Sequence, residues 1–447
     1  MKFINNSNDL TRYLDVPVKK NIDIKSISTD TRSIKKGALF IAIKGDVFNG
    51  NDYVEIAISK DACLVITDDK KFKDSKNKKI IYVSNSILAL RNISRNIIKE
   101  YSGNIIGITG SNGKTSTTNI IANSLKNCSS TLKNFNNEIG VPLSIMNANR
   151  QSKSLVIEMG AAKINDIDYL SSFLKPNIGV ITNIGNSHLE SLKNIKGVLK
   201  VKSELIRNIK KNGCLVIPND NKSHLKLWKN IRNDIDFITF GLKASADFYP
   251  SDIKYSLNQT QFYICSKKHK VKLKVTTKLA GEHNVKNILA SFAVSFFLKK
   301  PSQQFADSLN KKLDLITTRQ KQFKWLRGSL LIDDTYNANP DSVKKSIDLL
   351  TSTNKRKVLV LGDMLELGRF RKKMHKDIGK YAALKKIDIF LGFGDLTKYS
   401  VNSFGKKGLF FKSENDLRKY LSENINSKDV VLLKGSRGMK MERFINV

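Results

Sequence analysis

The residues Gly110-Ser111-Asn112-Gly113-Lys114-Thr115, within the run NIIGITGSNGKTSTTNII (Asn104–Ile121), carry the parts of a phosphate cradle. The commonest loop of this kind is spaced GxxxxGK[ST]. Here Ile108 stands where its first glycine would be, and the spacing shortens to GxxGKT. The context suits the role nonetheless. An apolar strand-like run, Asn104–Thr109, leads in, and a helix-capable run, Thr115–Leu125, leads out. Glycines let backbone N–H groups close around phosphate oxygens, and a helix N-terminus adds partial positive charge. Lys114 brings a mobile cation for β- and γ-phosphates, Thr115 a hydroxyl for Mg²⁺, and Ser116 prolongs the polar turn. The bland alternative is a glycine-rich strand-to-helix turn with an incidental lysine. It requires strand, glycines, Lys-Thr and helix to coincide without purpose.

Other polar residues draw interest from their positions. Glu158 closes the apolar run SLVIEM (Ser154–Met159). In a doubly wound sheet the carboxyl ends of strands face the ligand crevice, where a carboxylate reaches a phosphate-bound Mg²⁺; a solvated edge glutamate would read the same way. His188 lies just past another strand end, NIGVIT (Asn177–Thr182). A lone histidine is by default structural or solvated. Lys202, on the helix-like run that follows, is by itself one lysine among many. Asn284 and Asn287, three apart in AGEHNVKNILAS (Ala280–Ser291), share a helix face. Their amides can read an adenine edge, or Asn284 can serve as a helix cap.

The elements that must position these groups follow from the hydrophobic pattern. Residues 1–100 hold short β-rich runs, ALFIAI (Ala38–Ile43), ACLVIT (Ala62–Thr67) and KIIYVS (Lys79–Ser84). A helical segment, Ile87–Tyr101, bridges to the next unit. Over 101–315, strand, turn and helix alternate, with strands at Asn104–Thr109, Ser154–Met159, Asn177–Thr182 and GCLVIP (Gly213–Pro218). This predicts a parallel sheet covered on both faces. A second alternation fills 316–447, with strands SLLIDD (Ser329–Asp334), KVLVLGD (Lys357–Asp363), DIFLGFG (Asp388–Gly394) and DVVLLKG (Asp429–Gly435). The expected fold class is α/β in three domains: a small N-terminal α/β domain, a central phosphate-loop parallel sheet and a C-terminal Rossmann-like domain.

Composition bounds the function. A chain of 447 residues is too long for one core, and 40% apolar content is globular rather than disordered. Net charge is +38, from 78 Lys and Arg against 40 Asp and Glu. A polyanionic partner such as nucleic acid would account for that. So would a diffuse basic surface, and the lysines are spread along the chain without a basic block or tail. The diffuse reading is preferred, with weak steering of an anionic small substrate. Cys63, Cys128, Cys214 and Cys265 lie far apart, which fits a reducing compartment without disulfides or a zinc knuckle. The N-terminus lacks a signal-peptide core. The longest near-apolar run, Ile288–Leu298, is about half a membrane span. A cytoplasmic protein without membrane insertion is expected.

Taken in order, TGSNGKTSTT, EMGA, HLE, HNVKN and IDDTYNANP resemble the Mur ligase family over nearly the whole chain. Five further stretches resemble its branch that adds D-alanyl-D-alanine to a UDP-N-acetylmuramoyl-tripeptide: Ser28–Tyr53, Asn134–Ile145, Asp333–Ser342, LGDMLELG (Leu361–Gly368) and LKGSRGMKMER (Leu433–Arg443). The resemblance implies ATP cleavage coupled to amide formation through an acyl phosphate. It implies a uridine-nucleotide domain over 1–100, a central ATPase domain over 101–315, and a ligase domain over 316–447 that binds the dipeptide and completes the ATP site. It implies two Mg²⁺ ions, one at Thr115 and Glu158, the other at Glu158, His188 and Lys202. Lys202 would carry a CO₂-derived carbamate, because an unmodified ammonium would repel the metal. By the same resemblance Lys114 is catalytic with Glu158, His188 and Lys202. ATP would contact Gly110 to Ser116, Asn284, Asn287, Arg319 and Asp334. Thr31 and Arg32 would hold the uridine nucleotide, Asn136 and Asn137 the muramoyl peptide, and Asn337 and Asn339 the dipeptide side. A monomer that binds no nucleic acid is expected.

Some positions depart from the pattern. Asn49 and Asn51 stand where Asp and His are common, Ala162-Lys163 where Asn-His is usual, and Thr318 where Gly precedes the Arg. None removes a group that the chemistry needs. Three rivals were weighed. The sister ligase that adds the third peptide residue carries an Asp-Asn-Pro-Arg motif, absent here. Folylpolyglutamate synthase lacks the N-terminal nucleotide domain. A basic phosphate-loop protein that binds nucleic acid leaves the Glu, His and Lys series unexplained.

Overall fold

Short β-branched runs bounded by Asn, Gly and Lys become strands, because Val and Ile pack well on a pleated surface and Gly or Asn takes the turns. The computed structural model describes residues 2–14, 16, 18, 21–45, 48–132, 134–256, 259–309 and 321–447. The first four strands, β1 (Ser26–Ser28), β2 (Ala38–Ile41), β3 (Leu64–Thr67) and β4 (Ile80–Tyr82), pair in parallel and in chain order. Helix Ser86–Glu100 follows, capped by the Asn85 side chain, which accepts the Leu88 N–H. Its Leu90, Ile93 and Ile97 are fully buried. They share one apolar cluster with Leu39 and Leu64 of the first sheet and Leu155 and Ile157 of the second. The helix therefore packs the two sheets together.

The second sheet contains β5 (Asn104–Thr109), β6 (Cys128–Ser130), β7 (Ser154–Glu158), β8 (Ile178–Ile181), β9 (Cys214–Pro218) and β10 (Asp236–Phe240), all parallel. Their order is β10-β9-β8-β5-β7-β6. Ile105 joins the cluster on the face of helix Ser86–Glu100, while Ile106 and Ile108 join the cluster on the other face. With both faces covered, the strands read as unbroken apolar runs. The chain passes first to one side of β5 and then to the other. That places a topological switch point at the carboxyl ends of β5, β7 and β8.

Three antiparallel strands, β11 (Tyr249–Tyr255), β12 (Thr260–Ser266) and β13 (Val271–Thr277), come next. They were not expected from the sequence. Strict alternation of buried and half-buried residues along β12 is the signature of a sheet covered on one face. Phe262, Ile264 and Val275 pack with helix Glu282–Phe297 against the second sheet.

The last sheet has the order β14-β15-β19-β16-β17-β18. Its strands are β14 (Lys321–Lys324), β15 (Leu330–Asp334), β16 (Arg356–Gly362), β17 (Ile389–Phe393), β18 (Gly408–Phe411) and β19 (Asp429–Lys434). Only β14 runs antiparallel to its neighbour. Apolar clusters cover both faces, so this unit is doubly wound as expected, with two unforeseen edge strands, β14 and β18.

At the carboxyl ends of β15 and β19, Lys434 Nζ lies 2.6 Å from Asp334 Oδ2, with side-chain exposures of only 2% and 6%. Ser346 Oγ donates to the same oxygen at 2.6 Å, and Lys434 Nζ also donates to the Asn337 carbonyl at 2.9 Å. Removing one partner of so enclosed a pair leaves the other charge uncompensated, at a cost of about 3–5 kcal/mol. Lys434→Ala is accordingly expected to destabilise the C-terminal unit by that amount in urea unfolding. Lys434→Met combined with Asp334→Leu should recover most of the loss. An unchanged midpoint in Lys434→Ala would show that the pair does not hold the unit together.

Candidate active site

The phosphate loop is shaped by two glycines and clasped by its neighbour strand. Gly110 and Gly113 have φ of 145° and 81°, which favour glycine over residues with a Cβ. A Cβ on Gly113 would collide with Asn287 Oδ1. Past the end of β8, Thr182 Oγ1 and Asn183 Nδ2 both donate to the Asn112 carbonyl, at 2.6 and 2.8 Å, and Asn183 Oδ1 accepts the Asn112 N–H at 3.0 Å. Ser111 Oγ donates to the Gly185 carbonyl at 3.0 Å. Helix Lys114–Ser124 then begins at Gly113, which provides no side-chain cap. Its first-turn N–H groups are thus left for an anion. Lys114 Nζ donates to the Gly110 carbonyl at 2.8 Å, folding back over the loop.

Glu158 ends β7 and is 2% exposed. Its carboxylate accepts from Thr115 Oγ1 and from Asn136 Nδ2, each at 2.8 Å. Both donors are neutral. A buried carboxylate that shares a hydroxyl with a phosphate loop suits a divalent cation. Among the described residues no three His, Cys, Asp or Glu side chains gather into a metal site. An ion here would have to complete its shell with water and phosphate oxygens, as Mg²⁺ characteristically does.

Lys202, on helix Ile195–Arg207, is 1% exposed. Burial first, and Lys114 second, push its pKa down to about 7, against the pull of Asp166, Glu204 and Glu158. Near neutrality a large part of it is free amine. His188 reaches across to the C-terminal unit. Its Nδ1 lies 2.7 Å from Glu366 Oε2 on the C-terminal unit.

The C-terminal unit supplies the opposite wall. Asn339 Nδ2 donates to Asn112 Oδ1 at 2.8 Å, with the reciprocal bond at 3.4 Å, and Asp341 Oδ2 accepts the Asn186 N–H at 2.7 Å. Between the walls lies a cavity of about 880 Å³. Of the residues expected at the site, Ser111 to Lys114, Asn136, Asn137, Glu158, His188, Asn337 and Asn339 line it. Asn284 and Asn287 lie behind the loop instead, buried and bonded to the Ala280 carbonyl and to each other. Asn284 does not cap its helix; Gly281 holds that position. Asp334 is committed to Lys434. Thr31 and Arg32 lie outside the cavity lining, and Arg32, 89% exposed, grips Asp30. Arg319 lies outside the described residues. Thr182, Asn183, Asp341 and Glu366 carry no signal of their own in the sequence. The last two fall inside quoted motifs, but their partners are over a hundred residues away.

Three models of one family match the chain in succession: "Mur ligase family, catalytic domain" at residues 23–98, "Mur ligase middle domain" at 108–295, and "Mur ligase, glutamate ligase domain" at 319–437. The UDP-N-acetylmuramoyl-tripeptide--D-alanyl-D-alanine ligase of Buchnera aphidicola subsp. Baizongia pistaciae is 34% identical over 427 residues, covering 94% of this chain and 92% of the relative. The chain belongs to the Mur ligase family. Its fold superposes on the crystal structure of MurF from Acinetobacter baumannii with a TM-score of 0.86 at 25% identity, covering 98% and 97% of the two chains. MurF from Thermotoga maritima, solved in complex with ADP, gives 0.79 at 27% identity over 94% and 96%. The phosphate loop, the buried glutamate and the facing C-terminal loops are thus elements of a Mur ligase.

In this Mur ligase Gly113→Ala forces a side chain into left-handed backbone and against Asn287. The backbone cost alone is about 1–2 kcal/mol. ADP affinity by titration calorimetry is expected to fall at least about tenfold. Wild-type affinity would show that the loop does not bind through that turn.

Proposed function

We propose that this Mur ligase joins D-alanyl-D-alanine to a UDP-N-acetylmuramoyl-tripeptide at the expense of ATP, forming the pentapeptide nucleotide of peptidoglycan synthesis. The relative and the structural neighbours described above support that reading. The observation that carries it is a single cavity with the phosphate loop and Glu158 on one wall and Asn337 and Asn339 on the other.

The chemistry assigned to the cavity is as follows. The loop from Gly110 to Ser116 holds the triphosphate through backbone N–H groups, with Lys114 beside the β- and γ-phosphates. The terminal carboxylate of the tripeptide attacks the γ-phosphorus, ADP departs, and an acyl phosphate forms. The free amine of the dipeptide then attacks the acyl carbon; the C–N bond forms, the C–O bond to phosphate breaks, and the amine loses its proton. Two anions must approach each other in the first step, so cationic screening decides the rate. Thr115 and Glu158 fit one magnesium ion, and Glu158, His188 and a carbamylated Lys202 are assigned to a second. Mg²⁺ bound there would supply charge neutralisation between phosphate and carboxylate. Lys202 is suited to modification because its amine, freed by burial, can add to CO₂ and yield a carbamate plus a proton. Asn136 orients Glu158 and, with Asn137, faces the acyl substrate.

Residues 1–100 are assigned to the uridine nucleotide through Thr31 and Arg32, where Arg32 would exchange its Asp30 contact for the ligand. Residues 101–315 form the ATPase domain, and 316–447 the ligase domain, with Arg319 and Asp334 on the nucleotide and Asn284 and Asn287 backing it. The protein is taken to act as a monomer. Among the described residues no helix is long and apolar enough to cross a membrane, in keeping with a cytoplasmic reading.

Phosphate release is expected only when the nucleotide tripeptide and D-Ala-D-Ala are both present. Equal release with L-Ala-L-Ala, or with no acceptor, would refute the assignment. Lys202→Ala should lose ligation by about 100-fold or more and regain part of it with short-chain carboxylates. Carbon-13 NMR in labelled bicarbonate should show a carbamate carbonyl in the wild type and none in Lys202→Ala. A missing signal in both would remove the modification from the mechanism.

A further inference from the structure

The loop after β16 is fastened firmly within the C-terminal unit. Met364 N–H donates to His375 Nε2 at 3.0 Å, and Leu365 N–H to Ser436 Oγ at 2.8 Å. Met364 and Leu367 are buried. Between them Glu366 reaches out of its own unit to the central one. Besides its carboxylate contact to His188, its backbone carbonyl accepts the Glu190 N–H at 3.1 Å. Two residues on, the Gly368 backbone packs against Glu190. His188 and Glu366 both have left-handed backbone, with φ of 51° and 62°. Side chains adopt that conformation only when their surroundings hold it, so both partners are shaped around this one junction.

A carboxylate on Nδ1 selects the tautomer that carries its proton there and leaves Nε2 as the nitrogen free to act. His188 belongs to the central unit and Glu366 to the C-terminal one. The imidazole is therefore oriented by a group that arrives only when the two units dock. We propose that Glu366 is a positioning residue that aims His188 into the cavity and makes its alignment conditional on docking of the C-terminal unit. The proposal rests on the reading of His188 as a site residue. A merely adhesive role is distinguishable, because Asn112–Asn339 and Asn186–Asp341 bridge the same seam independently. Docking should survive loss of Glu366 while alignment does not.

The test is a double-mutant cycle with a spectroscopic arm. Glu366→Ala should lower kcat about 10- to 100-fold, with the KM for ATP and for D-Ala-D-Ala within about twofold of wild type. Glu366→Gln should retain much of the rate, since its amide oxygen still accepts from Nδ1–H. In the His188→Ala background, Glu366→Ala should cost nothing further. In enzyme labelled with ¹⁵N-histidine and free of nucleotide, the Nδ1–H tautomer of His188 should be present in wild type and Glu366→Gln and lost in Glu366→Ala. Wild-type turnover by Glu366→Ala beside an inactive His188→Ala overturns the proposal and leaves the site reading standing. So does an equal loss in both backgrounds, or an unchanged tautomer. Wild-type turnover by His188→Ala overturns the site reading and the proposal together.

Discussion

A buried negative charge beside a phosphate loop is the constraint around which this molecule is arranged. Glu158 sits at the carboxyl end of a central strand, out of water, and accepts only neutral hydrogen bonds from Thr115 and Asn136. A buried carboxylate in that position suits a divalent cation. Lys114 is drawn back onto the Gly110 carbonyl. Lys202 is pressed toward neutrality by burial and by Lys114 itself. That arrangement suits a site completed by a metal ion together with a polyphosphate.

How much of this was legible in the sequence depended on the range over which each feature is encoded. Every strand read from an apolar run is present, with ends within a residue or two, because a strand buried on both faces writes its whole length in Val, Ile and Leu. Asn104–Thr109 and the glycine turn were visible for a local reason: strand, turn and helix are consecutive. The antiparallel sheet β11–β13 went unread because its polar, half-covered strands alternate, and alternation over seven residues is a weak signal among many lysines.

The site was legible in parts and illegible in its joints. Glu158 could be placed at a strand end, but that its partners would be Thr115 and Asn136 is a matter of sheet order, not of spacing. Asn287 could be put on a helix face with Asn284, yet only the fold shows that its carbonyl blocks any side chain at position 113. Asp334 was singled out within its motif, while its partner Lys434, a hundred residues on, lies in the quoted run Leu433–Arg443 without being singled out, since one lysine in a basic chain carries little information by itself. The net charge of +38 hides the few lysines that matter among the many that do not.

The seam between the central and C-terminal units explains why those joints are polar. An interface meant to stay closed would be sealed with apolar side chains, as the Ser86–Glu100 helix seals the first two sheets with Leu90, Ile93 and Ile97. Across the seam here, Phe370 and Met374 of the C-terminal unit pack against the same apolar cluster, and polar links join Asn112 to Asn339, Asn186 to Asp341 and His188 to Glu366. Each of these polar groups can exchange its partner for water at small net cost, because hydrogen bonds to solvent replace those to protein. The apolar joint therefore holds the first two units together as one body. The polar pairs leave that part of the seam to the third unit open to exchange with water, in keeping with a cavity that bulky substrates must enter and a longer product must leave.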